Sequence, residues 1–148
     1  MEIRRLVHDD LAALLNLYGH LHEEHYDISN KAFAEVWDKI LATDNIFYFG
    51  LFVNSHLVSS CHLVVVSNLT HACQPYALIE NVVTHSAHRN RGFGKAVLHA
   101  ALEYAWGQGC YKTMLMTGRK EEKVHRFYES AGFTSTDKKA FVARPLGK

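Results

Sequence analysis

A strand that runs into a basic, glycine-containing turn and then a helix constrains this sequence more than any other feature. The segment is Leu78–Ala100, LIENVVTHSAHRNRGFGKAVLHA. The first turn of a helix presents unpaired backbone N–H groups at the positive end of the helix dipole, so it attracts phosphate. Gly92 and Gly94 would let the backbone approach an anion closely. The turn also carries three cationic side chains, Arg89, Arg91 and Lys95. The segment predicts a phosphate or pyrophosphate site, with an ordinary turn bearing solvated basic residues as the alternative.

Two common phosphate motifs do not fit this turn. The dinucleotide motif G-x-G-x-x-G needs a glycine where Val97 stands. The P-loop G-x-x-x-x-G-K-[ST] needs a glycine at Arg89 and a hydroxyl residue at Ala96. The phosphate site is therefore expected to be of another type.

The apolar periodicity of the chain switches between helical and strand patterns, which predicts an α/β fold built on a mixed sheet. The predicted strands are 2–7, 46–53, 57–66, 77–84, 111–117 and one within 134–144. The predicted helices are one after Asp9 or Asp10, one after Ser29 or Asn30, then 92–106 and 121–130. The order is β-α-α-β-β-β-α-β-α-β, with an antiparallel hairpin before a β-α-β unit whose strands should be parallel neighbours. The length of 148 residues predicts a single domain, 1–148.

Composition excludes several classes of protein. A net charge of +1 gives no basic excess for nucleic acid or an anionic membrane surface. No run approaches the ~18 apolar residues of a membrane helix, and the N-terminus lacks a secretory apolar segment. Three scattered cysteines indicate reduced thiols. The expected protein is soluble and cytoplasmic.

Neither metal chemistry nor a covalent cysteine route is expected. His22 and His25 are one residue too close for the H-E-x-x-H zinc motif, in which both imidazoles share one helix face. No cysteine has a neighbourhood typical of a nucleophile. If the protein transfers a group, the acceptor is expected to attack the donor directly while both are bound in a ternary complex, without a covalent enzyme intermediate.

Two blocks of sequence resemble the GNAT superfamily of acetyl-CoA-dependent N-acetyltransferases. The segment from Arg89 to Gly94 fits R-x-x-G-x-G, and HRFYESAGF from His125 to Phe133 is similar to the family's F-Y-E-x-x-G-F element. The stretch Ile79–Val83 is similar to the glucosamine-phosphate acetyltransferase branch. The resemblance covers essentially the whole chain. It implies a sheet with a splayed parallel strand pair, and acetyl-CoA as cosubstrate without a metal.

The resemblance assigns the cofactor to two consecutive segments. The pantetheine arm would hydrogen-bond the strand backbone at Val82, Val83 and Thr84, where one N–H would polarise the thioester carbonyl. The pyrophosphate would lie against the turn residues Arg89, Asn90, Arg91, Gly92, Phe93, Gly94, Lys95 and Ala96. Where relatives often carry an asparagine that contacts the cofactor arm, this chain has Glu121.

Two catalytic residues are predicted. An amine is an ammonium at neutral pH, so a base must take its proton. Glu80 stands in an apolar strand, where a buried carboxylate is costly unless paired or functional, and is the predicted base, direct or through water. By the resemblance, Tyr128 would be the acid that protonates the leaving thiolate. The alternatives are a structural carboxylate for Glu80 and core packing for Tyr128.

The acceptor is expected to be a primary amine on a small molecule or a protein. Its candidate contacts are His22, Glu23, Glu24, Tyr26 and His71. A homodimer is left open. The competing interpretation is a non-catalytic acyl-CoA-binding sensor or regulatory module with the same fold, and an interaction domain without cofactor is disfavoured by the glycine turn.

Overall fold

The computed structural model of the chain describes residues 1–22 and 24–147. The chain divides into two compact units, the first covering 1–115 and the second beginning at Met116. No helix within the described ranges is both long and apolar enough to cross a bilayer.

The first unit contains the sheet and three helices. Its strands are β1 (Glu2–Arg5), β2 (Ile46–Val53), β3 (His56–Val66), β4 (Tyr76–Thr84) and β5 (Thr113–Leu115). Its helices are α1 (Leu11–His22), α2 (Lys31–Leu41) and α3 (Phe93–Gly107), with short 3-10 turns at His8–Asp10 and Ser86–His88. The strands lie in the order β1-β2-β3-β4-β5. All neighbours are antiparallel except β4 and β5, which are parallel, as predicted.

Two polar side chains help to set where the first helices begin. The Asp10 carboxylate accepts the Val7 N–H at 2.7 Å and two hydrogen bonds from Arg4 at 2.7 and 2.9 Å. The hydrogen bonds from Arg4 are the main reason that the pKa of Asp10 is lowered. Asn30 caps α2 by accepting the Ala32 N–H at 3.0 Å.

The helices cover both faces of the sheet, as the alternation of side chains along β2 requires. On one face, Tyr48 packs with Trp37 of α2 and Leu14 of α1 in the main apolar cluster. On the other face, Phe47 and Phe49 contact Tyr104 of α3, with ring centroids 4.6 and 5.6 Å apart. The mixed sheet between two helical layers is confirmed.

Two segments differ from the sequence prediction. Residues 134–144 form no strand, because the segment is exposed throughout and Phe141, at 87% exposure, has no buried face to occupy. The segment between β3 and β4, for which no helix or strand was predicted, contains a single left-handed turn, in which His71, Ala72 and Cys73 all have φ between 54° and 61°.

The second unit contains one helix, α4 (Glu122–Ser130). Val124, Phe127 and Tyr128 are partly buried and Ala131 is fully buried, so these residues form the inward side of this segment. The Tyr128 ring packs edge-on against Phe127 at 5.0 Å and Phe133 at 6.3 Å.

Candidate active site

The parallel strand pair separates partway along β4. Pairing between β4 and β5 covers only Ala77 to Ile79, and β5 ends at Leu115. From Glu80 to Thr84, β4 therefore has no parallel partner among the described strands, although its other edge stays paired with β3. An open strand edge exposes backbone groups that an extended ligand can pair with. The parallel pairing therefore ends before Val82, Val83 and Thr84, the residues predicted to meet the cofactor arm.

A β-bulge lies in the same stretch of β4. Ser60 is paired with Val83 and His62 with Glu80, so Asn81 and Val82 both oppose the single residue Cys61. Asn81 adopts a left-handed conformation with φ 52°. Asparagine tolerates this region better than most residues because its short polar side chain can bond locally. The bulge re-aims the strand next to its unpaired edge.

Glu80 is exposed, so the expectation that the strand would bury its carboxylate was wrong. Glu80 lies opposite His62 in the register of β3 and β4, and His62 lies opposite Tyr48 in the register of β2 and β3. Directly opposed residues on antiparallel strands share a face. Tyr48, His62 and Glu80 therefore form a row across β2, β3 and β4 on the face covered by α1 and α2. Glu80 is the first residue of β4 beyond its pairing with β5.

The three predicted strand residues have mixed environments. Val83 is buried in the apolar cluster, while Val82 and Thr84 are partly buried. The Thr84 hydroxyl lies 2.9 Å from the Ser59 hydroxyl. Because the predicted cofactor contacts use the backbone, core packing of Val83 and a cofactor role are compatible.

The glycine turn delivers a helix N-terminus just after β4. Gly92 is the N-cap of α3 and has φ 79°, a conformation that strongly favours glycine. An added Cβ on Gly92 would meet no atom within 4 Å, so the space beside it is open. Gly94 is buried in the first helical turn, while Asn90 and Arg91 are exposed. Phe93, Lys95 and Ala96 are partly buried. This geometry fits an anion at the start of α3.

The Arg89 side chain has a structural task that the sequence did not reveal. Its guanidinium donates to the carbonyl oxygens of Thr84 at 3.2 Å and His20 at 2.9 Å. The imidazoles of His20 and His85 pack with centroids 3.9 Å apart, and the Ser86 N–H donates to His20 Nδ1 at 3.3 Å. Arg89 thus ties the glycine turn to the end of α1.

A cavity of about 360 Å³ opens between α1, α2, β2 and β4. Its lining is largely apolar and aromatic, consisting of Leu11, Leu14, Leu15, Tyr18, Leu21, His22, Tyr26, Phe33, Val36, Trp37, Ile40, Tyr48 and Asn81. Its volume falls at the lower end of the range typical of small-molecule sites. Asn81 brings the bulge of β4 into the cavity wall, so the cavity adjoins the unpaired stretch of β4.

Buried polar groups gather near Asn81. The Tyr18 hydroxyl is buried and meets no partner in hydrogen-bond geometry. Burial is the main reason that its pKa is raised, and the side chains of Tyr48 and Asn81 are close enough to contribute. The His62 imidazole stacks on the Tyr48 ring at 4.4 Å, and both of its ring nitrogens are buried without a partner. None of these three residues was predicted to belong to the site, because Tyr18 has the spacing of a buried helix residue and His62 and Asn81 lie within strands.

Burial lowers the pKa of His62, which predicts a pH-dependent stability. The folded state keeps this imidazole neutral, whereas the unfolded chain protonates it as the pH falls through about 6.5. The free energy of unfolding should therefore be fully retained above this pH and fall from about pH 6.5 towards the lower folded pKa. His62→Gln should flatten this dependence in urea titrations between pH 5 and 7. Exposed His56→Gln is the control, and an equal effect of both changes would contradict the assignment.

Of the residues predicted to contact the acceptor, only some line this cavity. His22 and Tyr26 line the cavity. Glu24 is exposed, and His71 stacks on Tyr111 with centroids 3.9 Å apart. Glu23 lies outside the described residues.

The surroundings of the potential metal ligands and of the Cys61 thiol bear on two further kinds of chemistry. Within residues 1–22 and 24–147, no three His, Cys, Asp or Glu side chains converge to hold a metal ion. Burial raises the pKa of the Cys61 thiol to about 12, so this cysteine stays protonated near neutral pH.

The two remaining predicted residues lie in the second unit. Tyr128 is partly buried on α4, and Glu121 is the exposed N-cap of that helix, without a capping bond from its side chain.

Comparison with known proteins agrees with this architecture. The model of the Acetyltransferase (GNAT) family matches residues 11–133. A protein named glucosamine 6-phosphate N-acetyltransferase, from Trypanosoma brucei brucei, is 30% identical over 139 residues, covering 93% of this chain and 92% of that protein.

Solved structures agree as well. A protein from Agrobacterium tumefaciens str. C58, assigned as an acetyltransferase, is 40% identical with a TM-score of 0.92, covering 98% of this chain and all of that one. Glucosamine-6-phosphate N-acetyltransferase from Arabidopsis thaliana shares the fold at 20% identity and a TM-score of 0.84, covering 98% of this chain and 97% of that one.

The mixed sheet, with parallel pairing of β4 and β5 that ends partway along β4, thus has the α/β fold of an acyltransferase. The chain belongs to the GNAT family of acetyltransferases and is an acetyltransferase enzyme.

Proposed function

We propose that the protein transfers an acetyl group from acetyl-CoA to a primary amine by direct attack in a ternary complex. The observation that carries the proposal is the unpaired, bulged stretch of β4 from Glu80 to Thr84, which leads directly into the glycine turn at the start of α3. GNAT acetyltransferases use acetyl-CoA as cosubstrate. The family match runs from the first unit into the second, which supports one acetyltransferase domain over 1–148.

The cosubstrate would be held by backbone more than by side chains. The pantetheine arm would lie along the open edge at Val82, Val83 and Thr84, like an added strand. The pyrophosphate would accept hydrogen bonds from the N–H groups at the start of α3, beside Gly92. The turn side chains would add charge, with Arg89 fixing the turn against α1.

The reaction needs a base for the ammonium, an acid for the leaving thiolate and a path for the second proton of the amine nitrogen. Glu80 would take a proton from the ammonium, directly or through water, which its exposure permits. The neutral amine nitrogen would then attack the thioester carbonyl, whose oxygen is stabilised by a backbone N–H of β4. The C–S bond breaks as the C–N bond is kept, and Tyr128 would give its proton to the leaving CoA thiolate. The nitrogen would lose its second proton through water to the Tyr128 phenolate, which restores the tyrosine, and Glu80 would release its proton to solvent. The products are an acetamide and free CoA thiol.

Tyr128→Phe should keep affinity for acetyl-CoA and lower kcat. The change removes the phenolic proton while retaining the ring that packs on Phe127 and Phe133. General acid catalysis contributes typically ~10²–10⁴-fold, so a loss within that range is expected in stopped assays of thiol release. The control is Tyr111→Phe, on another ring contact. An unchanged kcat would return Tyr128 to a packing role.

The proposal is tested by pairing a binding measurement with a turnover measurement. Acetyl-CoA should raise the Tm, because a ligand that binds only the native state stabilises it. Primary amines from several chemical classes should then release CoA thiol. Binding of acetyl-CoA without thiol release for any amine would favour the sensor interpretation, and no binding would exclude both.

A further inference from the structure

We infer that the cavity between α1 and α2 selects a primary amine carried on an aromatic or branched aliphatic body without a phosphate group. This inference rests on the proposed function, because it names the acceptor class for the same site. The name of the Trypanosoma relative would suggest a phosphorylated amino sugar, whereas the cavity wall has a different chemistry.

The wall of the cavity is predominantly aromatic on the α2 side. Tyr26 stands between Tyr18 and Phe33, with ring centroids 6.0 and 6.1 Å away in edge-to-face geometry. Trp37 packs edge-on against Tyr48 at 5.1 Å, and its indole N–H is already donated to the His8 carbonyl at 3.1 Å. These rings offer apolar surface and ring faces, which favour an apolar body over a hydroxylated sugar.

The described part of the wall lacks the lysine and arginine side chains that commonly hold a phosphate. Among the described residues that line it there is no lysine, arginine, aspartate or glutamate. A phosphate buried without cationic partners loses its hydration and gains few charge-assisted hydrogen bonds. The exposed His22 is the one basic side chain among those lining residues. A phosphorylated acceptor should therefore be disfavoured.

The wall carries polar groups beside the bulge of β4. Asn81 belongs to the bulge of β4, and the buried Tyr18 hydroxyl lies close to its side chain. An ammonium or amine donates hydrogen bonds, and these oxygens can accept them. An acceptor with its amine at Asn81 would present nitrogen to the stretch of β4 where the thioester is proposed, with its apolar body between α1 and α2.

The test compares three acceptors under saturating acetyl-CoA: 2-phenylethylamine, glucosamine, and glucosamine 6-phosphate. Burial of an aromatic body removes apolar surface from water, so kcat/KM for 2-phenylethylamine should exceed that of both sugars by at least about tenfold. Adding the phosphate should not improve on glucosamine. A preference for glucosamine 6-phosphate would overturn the inference.

Two substitutions on α2 test whether the preference for 2-phenylethylamine arises in the cavity. Val36→Trp, on the cavity wall, should raise KM for 2-phenylethylamine at least about tenfold while leaving KM for acetyl-CoA unchanged. Leu41→Trp is the matched control, because Leu41 is on the same helix, is similarly exposed and is not among the lining residues. Equal effects of both variants would contradict a site in this cavity.

Calorimetric titration of 2-phenylethylamine into the CoA-bound enzyme separates failure of this inference from failure of the proposed function. Binding that Val36→Trp abolishes, without turnover of any amine, would retain the ligand class and reject the acetyl transfer. Absence of binding, with turnover of other amines, would reject the ligand class and retain the acetyl transfer.

Discussion

Gly92→Trp is expected to abolish the rise in Tm that acetyl-CoA gives the unmodified protein. Gly92 caps α3, and the space beside it is open where the pyrophosphate is proposed to bind. An indole there would occupy that space and cover the N–H groups at the start of the helix. The measurement is thermal unfolding with and without acetyl-CoA, together with direct titration of CoA.

The Gly92→Trp variant also strains the backbone, because any side chain at a φ of 79° lowers the stability of the folded state by roughly 1–2 kcal/mol. A control with the same strain is therefore needed. Gly109→Trp provides the match. Gly109 also has φ 79° with no atom within 4 Å of an added Cβ, and it lies just past the opposite end of α3. Both variants should lower the Tm of the free protein, and only Gly92→Trp should lose the response to acetyl-CoA. Equal responses from the two variants would contradict the pyrophosphate assignment.

Glu80→Gln is expected to reduce acetyl transfer by ~10²-fold or more while leaving CoA binding and Tm nearly unchanged. Glutamine is nearly isosteric and keeps one acceptor oxygen, and the exposed position of Glu80 means that folding does not depend on its charge. The remaining slow reaction should follow the amine's own loss of its proton.

Glu103→Gln is the control for Glu80→Gln, since Glu103 is an exposed carboxylate on α3. It should leave the pH profile and kcat unchanged. Full activity in Glu80→Gln would show that the base is elsewhere. The search would then turn to His62, which is directly opposite Glu80 in the strand register, then to His22, His25 and His71, or to water.

The elements that the sequence predicted well are those fixed by local patterns. Strand β2 has the predicted bounds, 46–53, because its β-branched and aromatic run ends at the Asn54-Ser55 turn. Both turn residues have positive φ, as a tight hairpin requires. The glycine turn and α3 were found within one residue, since Gly92 acts as the predicted boundary.

The features that the sequence missed depend on register and on distant partners. The bulge at Asn81 shifts the pairing of β4 with β3 beyond Glu80 and is invisible to a count of alternating residues. The cavity residues Tyr18 and Trp37 follow the same helical spacing as core residues, so their pattern cannot tell a filled interior from an open one. The strand expected within 134–144 needed a buried face that the segment does not have.

The most direct test of acetyl transfer follows the acetyl group itself. The protein is incubated with acetyl-CoA deuterated in the acetyl methyl group and with a mixture of primary amines, and the products are analysed by mass spectrometry beside a titration of free thiol. If the protein is an N-acetyltransferase, we expect a deuterated acetamide of at least one amine, formed in equal amount with CoA thiol. The Gly92→Trp variant should form neither product. Thiol release without any acetylated amine, or binding of acetyl-CoA with neither product, would contradict acetyl transfer.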